Sequence, residues 1–144
     1  MSDAKKVLIV DDDPDFVSAI EALFRSSGCE VRSACNGEEG LQLAKAYRPD
    51  LILLDVMMRE RTEGFFTLQE IRRSSVLRQT PVIVVSSIYA DQPVFRVSPE
   101  AGWLPANLFL PKPVDPARLL EEARRLMDSA PSVVGPPSKG RSEL

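Results

Sequence analysis

The sequence predicts an α/β fold in which the strands of one parallel sheet alternate with helices. Five short apolar runs of strand length recur along the chain, and segments with helical spacing of apolar residues follow most of them. The third run, residues 51–54, is unbroken Leu and Ile, as expected for a strand buried on both faces in the middle of a parallel sheet. Alternating strands and helices then imply right-handed crossovers between parallel strands.

The first strand–helix unit lies close to the start of the chain. Residues 7–10 are β-branched and aliphatic, and the strand that they predict ends in acidic residues. Pro14 suits the first helical position, Asp13 can cap this helix, and Gly28 can close it. The apolar positions that follow the helical period are Phe16, Val17, Ile20, Leu23 and Phe24.

The second unit leads into the central strand. Residues 30–34 predict a short, half-polar strand. Asn36 can cap the second helix, and Glu39 lies three residues on, as in a capping box. We expect this helix to end before Pro49, because proline disfavours a helical conformation in the residue preceding it. The central strand follows, and Asp55 ends it.

The remaining elements are less regular. A third helix is expected from about Gly64, a fourth strand over residues 82–85 ends at Ser86, and a fifth over 107–110 runs into Lys112 between two prolines. A last helix opens near Pro116.

Prolines interrupt residues 87–106, where we expect an irregular or shortened fourth crossover helix. Residues 129–144 lack periodicity and predict a disordered tail, which leaves one domain over residues 1–128.

Five parallel strands in a chain of this length most often adopt the flavodoxin-like, doubly wound order 2-1-3-4-5. That order places strands 1 and 3 side by side, so Asp11, Asp12 and Asp55 are expected to meet where ligands bind in such sheets. Ser86 and Lys112 reach the same edge from strands 4 and 5.

These side chains predict a magnesium site and a phosphoryl acceptor. Three converging carboxylates repel one another unless a cation lies among them, and oxygen ligands suit Mg²⁺. We expect Asp11, Asp12 and Asp55 as ligands, with the backbone carbonyl of Met57 as a neutral one.

Asp55 can attack phosphorus as a nucleophile and form an acyl phosphate. Lys112 can neutralise the phosphoryl oxygens, and Ser86 can donate a hydrogen bond to them.

Composition excludes several other classes. The chain has no histidine, which removes the commonest general base and metal ligand. A formal net charge of −3 with mixed signs provides no basic stripe, so we expect no direct binding to nucleic acid. No apolar run approaches membrane-spanning length, and we expect a cytoplasmic protein without membrane insertion.

Five short motifs occur in order at the predicted strand ends and at the second helix. They are Val10-Asp11-Asp12, Asn36-Gly37-Glu38, Leu54-Asp55-Val56-Met57-Met58, Val85-Ser86 and Phe109-Leu110-Pro111-Lys112-Pro113. In these motifs the chain resembles a CheY-like response-regulator receiver domain of two-component signalling, over roughly residues 5–128.

The resemblance implies phosphotransfer to Asp55 from a partner histidine kinase or phosphotransfer protein. It implies that Ser86 then moves toward the phosphoryl group, that Phe109 rotates inward, and that the face formed by strands 4 and 5 signals to a downstream protein. It also implies a cis peptide between Lys112 and Pro113. We expect a stand-alone receiver of this kind, which is a switch rather than an enzyme that turns over an external substrate.

The chain departs from the family pattern in two places. Five residues, mostly charged, at 59–63 precede Gly64 where the family usually has proline and glycine sooner, and the interval from Ser86 to Lys112 is longer than usual. Met57 and Ile88, which flank the site, are apolar and cannot orient a hydrolytic water. We therefore expect slow autodephosphorylation, over minutes to hours.

Two alternatives stay open on the sequence. A degenerate receiver would act as an interaction module independent of phosphorylation. A haloacid-dehalogenase-like phosphatase would use Asp11 and Asp13, then Ser86 and Lys112. The second alternative lacks the later acidic pair that binds metal in that class, and it gives Asp55 no role.

Overall fold

The computed structural model describes residues 4–55, 63–86 and 106–128, except for the side chains of 63–65 and 86. Its elements, in chain order, are β1 (Lys6–Val10), α1 (Pro14–Ser26), β2 (Glu30–Ala34), α2 (Gly37–Tyr47), β3 (Leu51–Leu54), α3 (Glu63–Arg73), β4 (Val82–Ser86), β5 (Leu108–Pro111) and α4 (Pro116–Asp128). Within these described ranges, no helix combines the length and the apolar character that crossing a bilayer requires.

The five strands form one sheet in the order β2-β1-β3-β4-β5, and every neighbouring pair is parallel. This confirms the predicted fold class and strand order. The central strand β3 is fully buried along its length, as its unbroken apolar sequence predicts. Because β1 and β3 are adjacent, the residues that follow them lie side by side at the carboxyl edge of the sheet.

Alternate residues of the strands face two separate core clusters. Leu8 of β1 and Ile52 of β3 point to the face that α2 and α3 cover, where they pack with Ala44 and Leu68. The next residues along each strand point to the opposite face, which α1 and α4 cover. The main side chains of that second cluster are Val7, Ile9, Ile20, Phe24, Leu51, Leu53, Leu119 and Ala123. Two buried faces explain why the strands read as continuous apolar runs.

The helix ends follow the predicted signals. The Asp13 side chain accepts hydrogen bonds from the backbone N–H groups of Asp15 and Phe16, and α1 begins at Pro14. Asn36 Oδ1 accepts from the Glu39 N–H at 2.8 Å. The Glu39 carboxylate accepts from the N–H of the residue before the cap, whereas a capping box uses the N–H of the cap itself.

Gly28 follows α1 with a φ of 92°, a conformation that glycine adopts without strain. The predicted closing role of this residue is therefore confirmed. The predicted loop after Asp55, the irregular segment up to residue 105, and the tail over 129–144 lie outside the described residues.

Candidate functional site

The site begins with two backbone hydrogen bonds that fix where the acids lie. The N–H of Asp11 donates to the carbonyl of Ala34 in β2, and the N–H of Asp55 donates to the carbonyl of Val10 in β1, both at 3.0 Å. Each aspartate is thus held by the neighbouring strand, one residue past the end of its own. Sheet pairing therefore brings the two side chains to the same edge.

Three carboxylates converge there. Asp11, Asp12 and Asp55 each present an oxygen, and these three oxygens lie within 4.8 Å of one another. Asp11 and Asp55 are 3% and 6% exposed, and Asp12 is half-buried. Three negative charges so close together and so little hydrated require positive charge nearby.

Lys112 supplies part of that charge from the end of β5. Its Nζ donates to Asp11 Oδ2 at 2.8 Å and to Asp55 Oδ2 at 3.3 Å. The Lys112 side chain is 16% exposed, so these ion pairs are shielded from water far more than surface pairs are. The Lys112–Pro113 peptide bond is cis, which confirms that expectation.

The pKa values of this cluster reflect burial opposed by pairing. Burial raises the pKa of Asp11 above its ordinary value and the charge of Asp55 adds to the rise, while hydrogen bonds from Lys112 and from the Asp13 N–H oppose it. Burial lowers the pKa of Lys112, but the hydrogen bonds and charges of Asp11 and Asp55 outweigh it, and the net shift is upward. Lys112 is therefore a firmly charged ammonium.

The donor set fits a divalent cation with a preference for oxygen. Three carboxylates and one ammonium carry a net charge of −2, which one Mg²⁺ would balance. Mg²⁺ prefers carboxylate and water oxygens to nitrogen or sulfur ligands. The residues present therefore match the ion that the sequence predicts.

The structure describes the remaining predicted site residues to different extents. Ser86 lies in β4 with its backbone opposite Pro111, and its side chain is outside the described atoms. Met57 and Ile88 also lie outside the described residues. Phe109 is half-buried on β5 and packs against the cluster under α2 and α3.

Sequence reasoning missed one neighbour of the site. Phe16 was predicted only as a core position of α1, yet the Nζ of Lys112 lies over its ring, 4.3 Å from the centroid. The available signal was that α1 begins directly after the acids, which places its first turn beside the site.

Asp13 does not join the cluster, since its carboxylate caps α1. That contact gives it a structural role, unlike the one that the phosphatase alternative requires.

Comparison with known proteins identifies the family. Residues 7–124 match the family model described as "Response regulator receiver domain". The chain belongs to that family. As a receiver domain of two-component systems it falls among signalling switches, and the phosphatase alternative is thereby set aside.

The curated relatives differ in length. The chain is 32% identical over 116 residues to the protein PilH of Pseudomonas aeruginosa, covering 81% of this chain and 92% of PilH. It is 30% identical to the DNA-binding dual master transcriptional regulator RpaA of Synechocystis, covering 85% of this chain but 48% of RpaA. The chain thus spans about half the length of several relatives and nearly all of PilH.

Two solved structures show the same fold and are also similar in sequence. The receiver domain of the sensor histidine kinase PA1611 from Pseudomonas aeruginosa is 29% identical, with a TM-score of 0.76 over 88% of this chain and 100% of that one. That structure has a magnesium ion coordinated in its active-site cleft. The chemotaxis response regulator CheY4 of Vibrio cholerae is 30% identical, with a TM-score of 0.71 over 86% of this chain and 99% of that one.

Proposed function

We propose that this chain is a receiver that accepts a phosphoryl group on Asp55, in a reaction that depends on Mg²⁺, and then signals to a protein partner. One observation carries the proposal: the buried Asp55 carboxylate contacts Lys112 and lies within 4.8 Å of the carboxylates of Asp11 and Asp12. The receiver spans residues 1–128, and a tail follows over residues 129–144.

The donor is a histidine kinase or a phosphotransfer protein, as receiver domains generally use. An oxygen of Asp55 attacks phosphorus, a new O–P bond forms, and the P–N bond to the donor imidazole breaks. The electron pair of that bond leaves with the imidazole, and Asp55 becomes an acyl phosphate. Lys112, already bonded to Asp55, offsets the charge on the phosphoryl oxygens.

Asp11, Asp12 and Asp55 would hold the Mg²⁺, with the backbone carbonyl of Met57 as the neutral ligand. Bound there, the ion supplies positive charge that stabilises the transferring phosphoryl group. Before the ion and the phosphoryl group bind, Asp11 also orients Lys112, through the shorter of the two hydrogen bonds that the ammonium makes.

The change that signals to the partner involves Ser86 on β4 and Phe109 on β5. Ser86 donates to the phosphoryl group, and Phe109 rotates inward, which changes the face that β4 and β5 present to a downstream protein. Phe109 is half-buried against the cluster under α2 and α3, so its rotation alters packing. The partner is a protein rather than nucleic acid, and the switch acts in the cytoplasm.

Beryllofluoride with Mg²⁺ tests this function, because it occupies a phosphoacceptor site as a stable phosphoryl mimic. We expect the amide resonances around Asp55, Ser86 and Lys112 to shift in ¹H–¹⁵N correlation spectra when beryllofluoride is added to the protein in Mg²⁺, beyond the shift that Mg²⁺ alone causes. Asp55→Asn removes the response. Asp15→Asn, which changes an exposed acid in the first turn of α1, keeps it.

A wild-type spectrum that does not respond would contradict the proposed phosphoacceptor and leave the phosphorylation-independent interaction module as the better function. The phosphorylated protein should also lose its label slowly, over minutes to hours, because Met57 and Ile88 are apolar. Loss within seconds in the absence of a phosphatase would refute that part of the proposal.

A further inference from the structure

The Lys112 ammonium has a third neighbour besides its two carboxylates. Its Nζ lies 4.3 Å from the centroid of the Phe16 ring, while it donates to Asp11 and Asp55 at 2.8 and 3.3 Å. A cation within about 6 Å of an aromatic ring centre is attracted by the negative face of the ring. The ammonium is therefore held by two charged groups and one uncharged one.

The position of the ring is set independently of the lysine. Phe16 lies in the first turn of α1, and its N–H donates to the capping carboxylate of Asp13 at 3.3 Å. Its half-buried side chain packs against the core cluster under α1 and α4. The helix cap and the core thus fix the ring, so that it presents a preformed surface to the ammonium of Lys112.

The two carboxylates cannot hold Lys112 equally well throughout the reaction. Once Asp11 and Asp55 also bind a divalent cation, part of their negative charge is compensated, and the ammonium is repelled by the added positive charge. Asp55 changes further when it becomes an acyl phosphate. The attraction between the Phe16 ring and the ammonium depends on the quadrupole of the ring. The ring has no oxygen with which to coordinate Mg²⁺, and it does not react with the phosphoryl group.

We propose that Phe16 is a positioning residue that keeps the Lys112 ammonium within the site while Asp11 and Asp55 turn to the metal and the phosphoryl group. The inference rests on the proposed role of Asp55 as phosphoacceptor. It adds an uncharged aromatic ring to the polar groups that act in phosphotransfer. The ring contributes to the rate through the position of Lys112, not through contact with phosphorus.

The first test locates the lysine without measuring activity. Protons held over an aromatic face resonate upfield, so the ε-methylene protons of Lys112 are expected upfield of those of exposed Lys45. We expect that displacement to persist when Mg²⁺ and beryllofluoride are added, and to vanish in Phe16→Leu. Loss of the displacement in the wild-type protein on adding Mg²⁺ would overturn the proposal, because Lys112 would then have left the ring.

The second test separates the quadrupole of the ring from its size. Fluorinated phenylalanines with one, two and three fluorines, placed at position 16, keep nearly the same shape while weakening the negative face. We expect the rate of phosphorylation by acetyl phosphate at saturating Mg²⁺ to fall at each step, by about threefold to tenfold for trifluorophenylalanine. The same series at Phe24, fully buried on the same helix, should leave the rate unchanged.

A flat series at position 16 would show that Phe16 only fills space. The wild-type protein distinguishes this failure from a failure of the proposed function. If the wild-type protein is labelled and the series is flat, the role of Phe16 is rejected and the proposed function stands. If the wild-type protein is not labelled, the role of Phe16 and the proposed function are both rejected. We expect Phe16→Tyr and Phe16→Trp, which keep an aromatic face, to be phosphorylated faster than Phe16→Leu. Rates as low as that of Phe16→Leu would oppose the proposal.

Discussion

The two edges of the sheet differ in how their charged side chains are paired. At the edge where the strands begin, Asp50 Oδ2 accepts from the backbone N–H of Lys6 at 2.8 Å, and Lys6 Nζ donates to the carbonyl of Tyr47 at 3.3 Å. At the edge where the strands end, three carboxylates converge, and the ammonium of Lys112 pairs with two of them, Asp11 and Asp55. The first arrangement pairs charges with backbone groups, and the second leaves an excess of negative charge.

Arg72 belongs to the first edge. Its guanidinium donates to the carbonyl of Thr80 at 2.7 Å and to Asn107 Oδ1 at 2.9 Å. Burial lowers the pKa of Arg72 to about 10, which leaves it charged at neutral pH. These contacts join the end of α3 to the start of β5, so we interpret them as structural. At the other edge Lys112 joins the ends of β5, β1 and β3, and the carboxylates that exceed its charge form a donor set that suits a cation.

The largest expected effect is on the rate of phosphorylation and comes from changing Lys112 at the edge where the strands end. We expect Lys112→Ala to slow phosphorylation by acetyl phosphate by about 100-fold, because a preorganised charge next to the transferring group is lost. Lys45→Ala, at an exposed position of α2, should leave the rate unchanged. Radiolabel incorporation over time measures both. Equal rates for the two variants would refute the assignment of Lys112.

A smaller effect concerns how closely α2 approaches β1. A Cβ added at Gly40 would lie 2.7 and 2.8 Å from the two methyl carbons of Val10, the residue before Asp11. We expect Gly40→Ala to lower the free energy of unfolding by about 2 kcal/mol, since overpacking outweighs the helix propensity of alanine. Urea denaturation measures this change.

Val10→Ala provides the matched background for Gly40→Ala, because it removes the methyl groups that an added Cβ would meet. There the second substitution should cost less than in the wild-type protein. Equal costs in the two backgrounds would mean that the contact with Val10 is not the cause.

The smallest effect tests the contacts at the edge where the strands begin. Asn107 Oδ1 accepts from the N–H of Val82 and from Arg72, both at 2.9 Å. We expect Asn107→Ala to lower the free energy of unfolding by about 1 kcal/mol. Asn107→Asp retains an acceptor and should be close to wild type in stability. Both variants should be phosphorylated at the wild-type rate. A rate as low as that of Lys112→Ala would contradict a purely structural role for the edge where the strands begin.

The order of the sheet and the converging acids were predictable from the sequence for a physical reason. Strands buried on both faces are continuous apolar runs, and parallel strands end at one edge, so Asp11 and Asp55 had to meet once β1 and β3 were neighbours. The caps at Asp13 and Asn36 were predictable because their signals are local.

Other contacts depend on how helices are seated, which local patterns do not record. The ring of Phe16 under Lys112 and the approach of Gly40 to Val10 join residues far apart in sequence. Apolar periodicity identifies Phe16 as buried, but it cannot say that a lysine at the end of β5 lies over its ring. The cluster of Arg72 and Asn107 was missed for the same reason.

Mapping the phosphorylated residue tests the central claim most directly. After incubation with acetyl phosphate and Mg²⁺, reduction by borohydride converts an aspartyl phosphate to homoserine, which peptide mass spectrometry locates. We expect one modified residue per chain, at Asp55, with none when Mg²⁺ is chelated and none in Asp55→Asn. Modification at another aspartate, or Mg²⁺-independent modification at Asp55, would contradict the assignment of the carboxyl edge as the phosphoacceptor site.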